Sequence, residues 1–451
     1  MKRLLFALFV FLYAASFGYA YVEYLNPVWE YFGFKMYPMD GARLAVGVSM
    51  LALSAFAQAP RITTPASLVV FVLYFNVYIP CLITSLMLSS DALRLYGPML
   101  LALTAIFVLA GIAASSSQPG TLKGTDGLHP GFERFVLIAW ALAFVIIAAY
   151  SGSSLSLTSL DDPAAVYEQR TAGATDNPVI RYIQTYFSNI FTPTLLCIGL
   201  IRRRPLWIAG AFAGGLLMYA VNAQRTLLLL PLILVAVFLL ISRPRLHQYA
   251  AHTILAVLSV AMIWSAHTQE ESLFGAAFAV LLTFRTIAIP GLTVSQYEDL
   301  FSEIGHTYWS NVKGFSLFVP PPDWAFNEPL WPDLGYIVGD KLYNNPIFNV
   351  NANLFAGDGV AAAGTVGILI IGLVFIGWIK LVDRLSMRWN TLFAAMVTLP
   401  PAISLTNGHF FTTMLSFGGI FWLLVFRFVE PPKISARMQE TAPQPAGDTP
   451  S

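Results

Sequence analysis

The chain begins with two cations, Lys2-Arg3, followed by a run without charge over 4–22. Further charge-free runs cover 44–57, 62–88, 96–114 and 135–150. Each is near, or somewhat short of, the ~20 residues that a helix needs to cross hydrocarbon. In lipid only helices and closed barrels satisfy every backbone group, so these runs predict an all-α, polytopic membrane protein. Short loops rich in Lys and Arg mark the cytoplasmic side. The clearest are Arg202-Arg203-Arg204 and Arg243-Pro-Arg245, with weaker markers at Lys2-Arg3, Arg61, Lys123/Arg134 and Lys380/Arg384/Arg388. Between the two strong markers, 206–242 has room for two short helices and a tight outer turn, Asn222-Ala-Gln-Arg225, which sets Arg225 at the outer face. Alternation from an inner N-terminus predicts about twelve transmembrane helices.

The same alternation puts outer loops at 23–40, 89–95, 151–180 and 267–352, with a brief turn at Asn407-Gly-His409. Residues 1–430 then form one multi-span domain, and 431–451, poor in apolar residues, a disordered cytoplasmic tail. One apolar segment, 273–292, breaks the alternation: counted as a span, it would carry Lys380, Arg384 and Arg388 outside. With Arg285 in its centre and Pro290 near its end, it is expected to be a re-entrant or surface-lying helix within the large outer loop. The N-terminus also has the form of a signal peptide, with Gly18-Tyr19-Ala20 as a small-residue cleavage site. A first span that stays uncleaved is the expectation, and the remaining topology is the same either way.

Composition strengthens this picture. Apolar residues make up 57% of the chain and charged residues 11%, against roughly a quarter charged in soluble domains. A net charge of +1 points to no nucleic-acid partner. Cys81 and Cys197 both fall inside apolar runs, so neither a disulfide framework nor a cysteine metal site is expected. No metal-ligand spacing, Gly-rich phosphate loop or nucleophile elbow occurs, so no cofactor is expected.

Polar residues in membrane segments are costly and usually face a cavity or a partner. Here they gather toward the outer side: Arg225, Arg285 and Asp358, with His306, Lys341 and His409 in outer loops. Guanidinium forks between apolar walls suit a diphosphate, and a carboxylate near them can hold an arginine or take a proton from an attacking hydroxyl. Plainer readings stand beside these. Arg225 snorkels to headgroups, Arg285 and Asp358 form a structural ion pair, and Asp358 is favoured near a helix start by the dipole. His409 caps a turn. Trp309, Trp324 and Trp331, set among the prolines of 316–333, offer faces for a sugar ring or form an interfacial aromatic belt. Loop 151–180, with Asp161-Asp162, Glu168, Arg170 and Asp176, is polar enough to meet glycan.

Three pieces in order resemble the Wzy-type O-antigen, or oligosaccharide repeat-unit, polymerases: Gly314-Phe-Ser316, Pro329-Leu-Trp-Pro-Asp333, and Gly357-Asp358-Gly-Val-Ala-Ala-Ala-Gly364-Thr-Val-Gly367. Asp358 takes the acidic place, usually Glu in that family, and Gly364 and Gly367 the glycines that allow close helix packing. Ala362 and Ala363 stand where the family tends to have Asn and Phe. The resemblance implies a GT-C-like glycosyltransferase of the bacterial inner membrane, active on its outer, periplasmic face. It would transfer a growing glycan from undecaprenyl diphosphate to a new lipid-linked repeat unit, without a metal. Arg225, Arg285 and Lys341 would bind diphosphate, and the three tryptophans glycan. Asp358 would orient an arginine or act as base, with His306 and His409 in reserve. Donor and acceptor undecaprenyl-diphosphate oligosaccharides, membrane lipids and a chain-length regulator are the implied partners. An O-antigen ligase, a lipid-linked oligosaccharide flippase and a scaffold for a synthase complex are the rival readings.

Overall fold

The computed structural model describes residues 2–117, 128–152, 155–156, 169, 173 and 175–429; of Arg225 and Pro244 it describes the backbone alone. The expected tail 431–451, Lys123, and Asp161, Asp162, Glu168 and Arg170 of loop 151–180 lie outside the described residues. Among the described residues every regular element is helical. Eight helices are long and apolar enough to cross a membrane, nine if the bent pair Phe410–Ser416 and Gly419–Phe428 counts as one span. Gly41–Ala57, Thr226–Ser242 and Thr391–Leu405 are shorter apolar helices. The chain is a polytopic helical membrane protein.

The cationic segments that the sequence groups on one side meet at one end of the bundle. Arg202 pairs with Glu133 at 2.6 Å, and His247 reaches the Ile62 carbonyl at 2.5 Å. Lys380 donates to Ser116 Oγ at 3.0 Å, one turn from Asp383, which accepts the Ala66 N–H at 2.8 Å. The ring of Phe132 packs edge-on against Trp389, joining these groups. At the opposite end Arg43, buried, donates to the carbonyls of Leu86 and Ser89 and is gripped by Asp40 at 3.0 Å. It ties the entry of one helix to the exit of another. The expected tight turn is also present: Pro205–Asn222 ends and Arg225–Ser242 begins around Ala223, at φ 51°.

The segment expected to lie on the outer surface or dip into it is longer than its apolar run. A helix continues from Leu273 to Ile304, with the length and hydropathy of a membrane span. Pro290 does not end it. The ten residues Ala279–Ala288 are π-helical and Pro290 enters the first turn of the α-helix Ile289–Ile304. A widened turn and a first-turn position both accommodate the missing N–H of proline. The helix starts against Thr268, sets Gly291 on the Pro80–Cys81 backbone and joins Ser295 to Ser85 at 2.8 Å. Near its end Asp299 accepts the Tyr96 hydroxyl at 2.9 Å.

The second departure is more consequential. The π-turn Ala356–Val360 leads into a helix recorded over Ala361–Ser386, broken by Ala363 and by Gly364 at φ 58°, ψ −139°. Eight residues in an unbroken helix span about 12 Å. Yet the Gly359 carbonyl abuts Gly367 so closely that a Cβ would not fit between them, and Ile368 packs on Gly359. The chain therefore folds back: a short helical arm containing Asp358 lies along the first turns of the long helix. Asn353 caps the arm, accepting the N–H groups of Phe355 and Ala356 at 2.9 and 3.0 Å and donating to the Pro290 carbonyl at 2.7 Å.

Arg43→Ala leaves the Leu86 and Ser89 carbonyls without their donor and should cost roughly 2–4 kcal/mol. Thermal unfolding of the detergent-solubilised protein measures it, and Asp40→Ala, which removes both the carboxylate on buried Arg43 and the cap on its N–H, should cost a comparable amount.

Candidate functional site

The hairpin at Ala363–Gly364 exposes backbone that an unbroken helix would satisfy. Thr307 and Tyr308 supply it, donating to the carbonyls of Ala361 and Ala362 at 2.8 and 2.9 Å. Tyr308 and Trp309 take positive φ values, 50° and 62°, as the chain turns past. The Trp309 indole N–H then donates to the Asp358 carbonyl at 2.9 Å. Two stretches fifty residues apart in sequence thus close around one arm.

Asp358 itself is 0% exposed. Its Oδ2 accepts the Phe410 N–H at 2.5 Å, and its Oδ1 lies 3.7 Å from His409 Nδ1 with no hydrogen bond of its own. His409 is the residue before the short helix Phe410–Ser416 and leaves 27% of its side chain exposed. A buried carboxylate thus stands behind an imidazole whose outer edge reaches solvent. A histidine and a carboxylate so placed are of the kinds suited to general acid–base chemistry.

The glycines define how close these groups come. A Cβ on Gly357 would collide with the ring of His409, and one on Gly364 would lie 3.2 Å from His306 Nε2. Gly364 also holds a φ that side chains rarely adopt. His306 is therefore the second histidine of the cluster, half-buried, its Nδ1 without a hydrogen bond. Burial pushes its pKa down from the usual imidazole range, against a smaller opposing pull from the Val360 carbonyl.

The structure brings Asp358, His306, His409 and Trp309 together, with a histidine where an arginine was expected beside the carboxylate. Arg285 is exposed on its π-helical stretch, and Arg225 stands at the start of its helix. Lys341 is engaged by two carboxylates, Glu328 at 3.0 Å and Asp340 at 3.4 Å; the hydrogen bond it donates to Glu328 raises its pKa. Trp324 and Trp331 meet edge to face at 5.3 Å, and Trp324 also packs against Phe301. These two rings are half-buried and pack against the core.

Sequence reasoning missed the Glu298–Asp299 pair, although two adjacent acids in an apolar helix are a readable signal. It also missed the Phe410 N–H, a backbone donor that no residue type announces. Among the described residues, His, Cys, Asp and Glu form no group of three or more suited to a metal ion. Comparison with family models, with characterised proteins and with solved structures finds no match.

Two outcomes follow for the cluster. Gly364→Ala should destabilise the protein by about 1–3 kcal/mol through its backbone conformation, read by thermal unfolding. For His306 the folded pKa lies below the unfolded value of about 6.5. Its contribution is thus intact above that pH and lost as pH falls through the folded value. His306→Gln should therefore flatten the fall in melting temperature between about pH 7 and pH 5.

Proposed function

We propose that the chain is a membrane glycosyltransferase that polymerises lipid-linked oligosaccharide repeat units on the outer face of a bacterial inner membrane. The observation that carries this reading is the Asp358–His409 pair. It is a carboxylate at 0% exposure behind a partly exposed imidazole, at the end of the bundle away from the Arg202, His247 and Lys380 contacts. The three-part resemblance ending in Gly357–Gly367 supports it, because Gly357 and Gly364 are the residues that admit the two histidines.

In this reading twelve helices cross in a GT-C-like arrangement and the cationic end faces the cytoplasm. The acceptor sugar hydroxyl gives its proton to His409 as its oxygen bonds to the anomeric carbon of the donor glycan. The bond from that carbon to the diphosphate oxygen breaks, and its electron pair leaves with undecaprenyl diphosphate. Asp358 steadies the imidazolium. Arg225 and Arg285 meet the leaving diphosphate, whose charge grows in the transition state. Lys341, already paired with Glu328, is the weaker of the three cations for that task. Trp309, expected to meet glycan, holds the Asp358 turn through its indole N–H, and the Trp324–Trp331 pair offers glycan one half-buried aromatic wall. A chain-length regulator is a natural partner. The ligase reading draws on His306, which shares the cluster and would serve as base toward a lipid A core acceptor.

The test is the length distribution of surface and lipid-linked glycan in the host. Deleting the gene should leave single repeats on their usual anchor. Long chains stranded on undecaprenyl diphosphate would instead indicate a ligase, and repeats trapped on the cytoplasmic face a flippase. His409→Ala and Asp358→Ala should each remove most of the ladder, with Asp358→Asn retaining more than His409→Ala. An unchanged ladder in both alanine variants would overturn the assignment of the site.

A further inference from the structure

The turn that follows Trp309 carries three large apolar side chains with little protein around them. Phe315, Leu317 and Phe318 are 43%, 80% and 86% exposed, and Lys313 just before them is exposed as well. Single exposed apolar residues are ordinary; three within four positions, followed by Pro320-Pro321-Pro322, are not. A Cβ at Gly314 would meet nothing within 4 Å, so the turn stands clear of the fold.

Its location is fixed by one contact. The Phe315 ring lies 5.2 Å from that of Phe411, in the first turn of Phe410–Ser416, part of a candidate bent span. One turn further along, Leu415 is 59% exposed. The apolar surface of the turn is thus continuous with the exposed apolar surface of a candidate span, at the Asp358 end of the bundle.

Four N–H groups of the turn find carbonyls within it. Irregular backbone in hydrocarbon is tolerated only where its polar groups are satisfied internally. Ser316 donates to the Val312 carbonyl, Leu317 to Gly314, and Phe318 and Val319 both to Phe315, at 2.9–3.4 Å. The three prolines that follow have no N–H to satisfy.

We propose that residues 313–319 form a membrane anchor, with Phe315, Leu317 and Phe318 inserted in the leaflet at the Asp358 end and Lys313 at its phosphate headgroups. Lysine stems reach to the interface in this way, and anionic headgroups attract the ammonium. The anchor needs only the membrane character of the chain and is independent of the glycosyltransferase reading. It holds the 306–309 segment, and through it the Asp358 turn, at headgroup level.

Spin labels at Leu317→Cys and Phe318→Cys test it in vesicles of phosphatidylethanolamine and phosphatidylglycerol. Cys81 and Cys197 are buried, so the new thiol is the reactive one. Collision with oxygen should far exceed collision with a polar nickel chelate, as at a Leu415→Cys control. A chelate preference like that of exposed Glu303→Cys would put the turn in water and overturn the anchor. Suppression of both collisions would mean that protein covers the turn, a partner or second copy, and would overturn it equally.

Discussion

The structure depends on a single requirement: where the long helix begins at Gly364, reversal of the chain leaves carbonyls that must still be hydrogen-bonded. Unpaired backbone groups are costly away from water. Thr307 and Tyr308 meet the requirement from a segment otherwise free to wander. That debt is what recruits the 306–309 stretch, and with it His306 and Trp309, to the arm that bears Asp358. The cluster is therefore a consequence of backbone bookkeeping first and of side-chain chemistry second.

The same hairpin explains why four small residues recur around Asp358. Gly359 and Gly367 face each other across the two limbs, Gly357 clears the His409 ring and Gly364 clears His306 while turning the chain. Ala362 is fully buried and its carbonyl is taken by Tyr308, so the small side chain lets the neighbouring strand of chain approach. A larger residue at any of these positions would separate a histidine from the arm or open the limbs. Small residues at close helix contacts in membranes usually serve association between spans. In this protein they bring one span's own prelude against it.

The gross plan was legible because charge-free runs of span length allow few structures, and because cations collect at one end. The pairing of Arg202 with Glu133 and of His247 with the Ile62 carbonyl connects the markers that the sequence had grouped. The hairpin was not legible. Residues 354–362 are as apolar and small as the run that follows, and a reversal at Ala363–Gly364 leaves no mark on hydrophobic periodicity. For the same reason the sequence suggested an arginine where the fold places a histidine beside Asp358. Its nearest ionic neighbour, His409, lies fifty-one positions away in a turn that only the tertiary fold brings near. The helix over Leu273–Ile304 was underestimated because its last turns, Ser295 to Ile304, are polar. Packing against Ser85 and Tyr96, and not hydropathy, sustains them.

Why a carboxylate occupies position 358 can now be argued from what surrounds it. A helix-start aspartate favoured by the dipole would face solvent, and this one is fully buried. Burying a charge without partners is strongly unfavourable, and one backbone N–H from Phe410 satisfies only Oδ2. Serine or alanine would cap or fill the same space at lower cost. What those residues lack is a second oxygen, and Oδ1, which has no hydrogen bond of its own, lies 3.7 Å from His409 Nδ1. The glycine at 357 strengthens the point, since it exists in a form that lets the ring come that close. Two things are set against the burial of Asp358: the Phe410 N–H, which it caps at the start of the short helix Phe410–Ser416, and the His409 ring beside Oδ1.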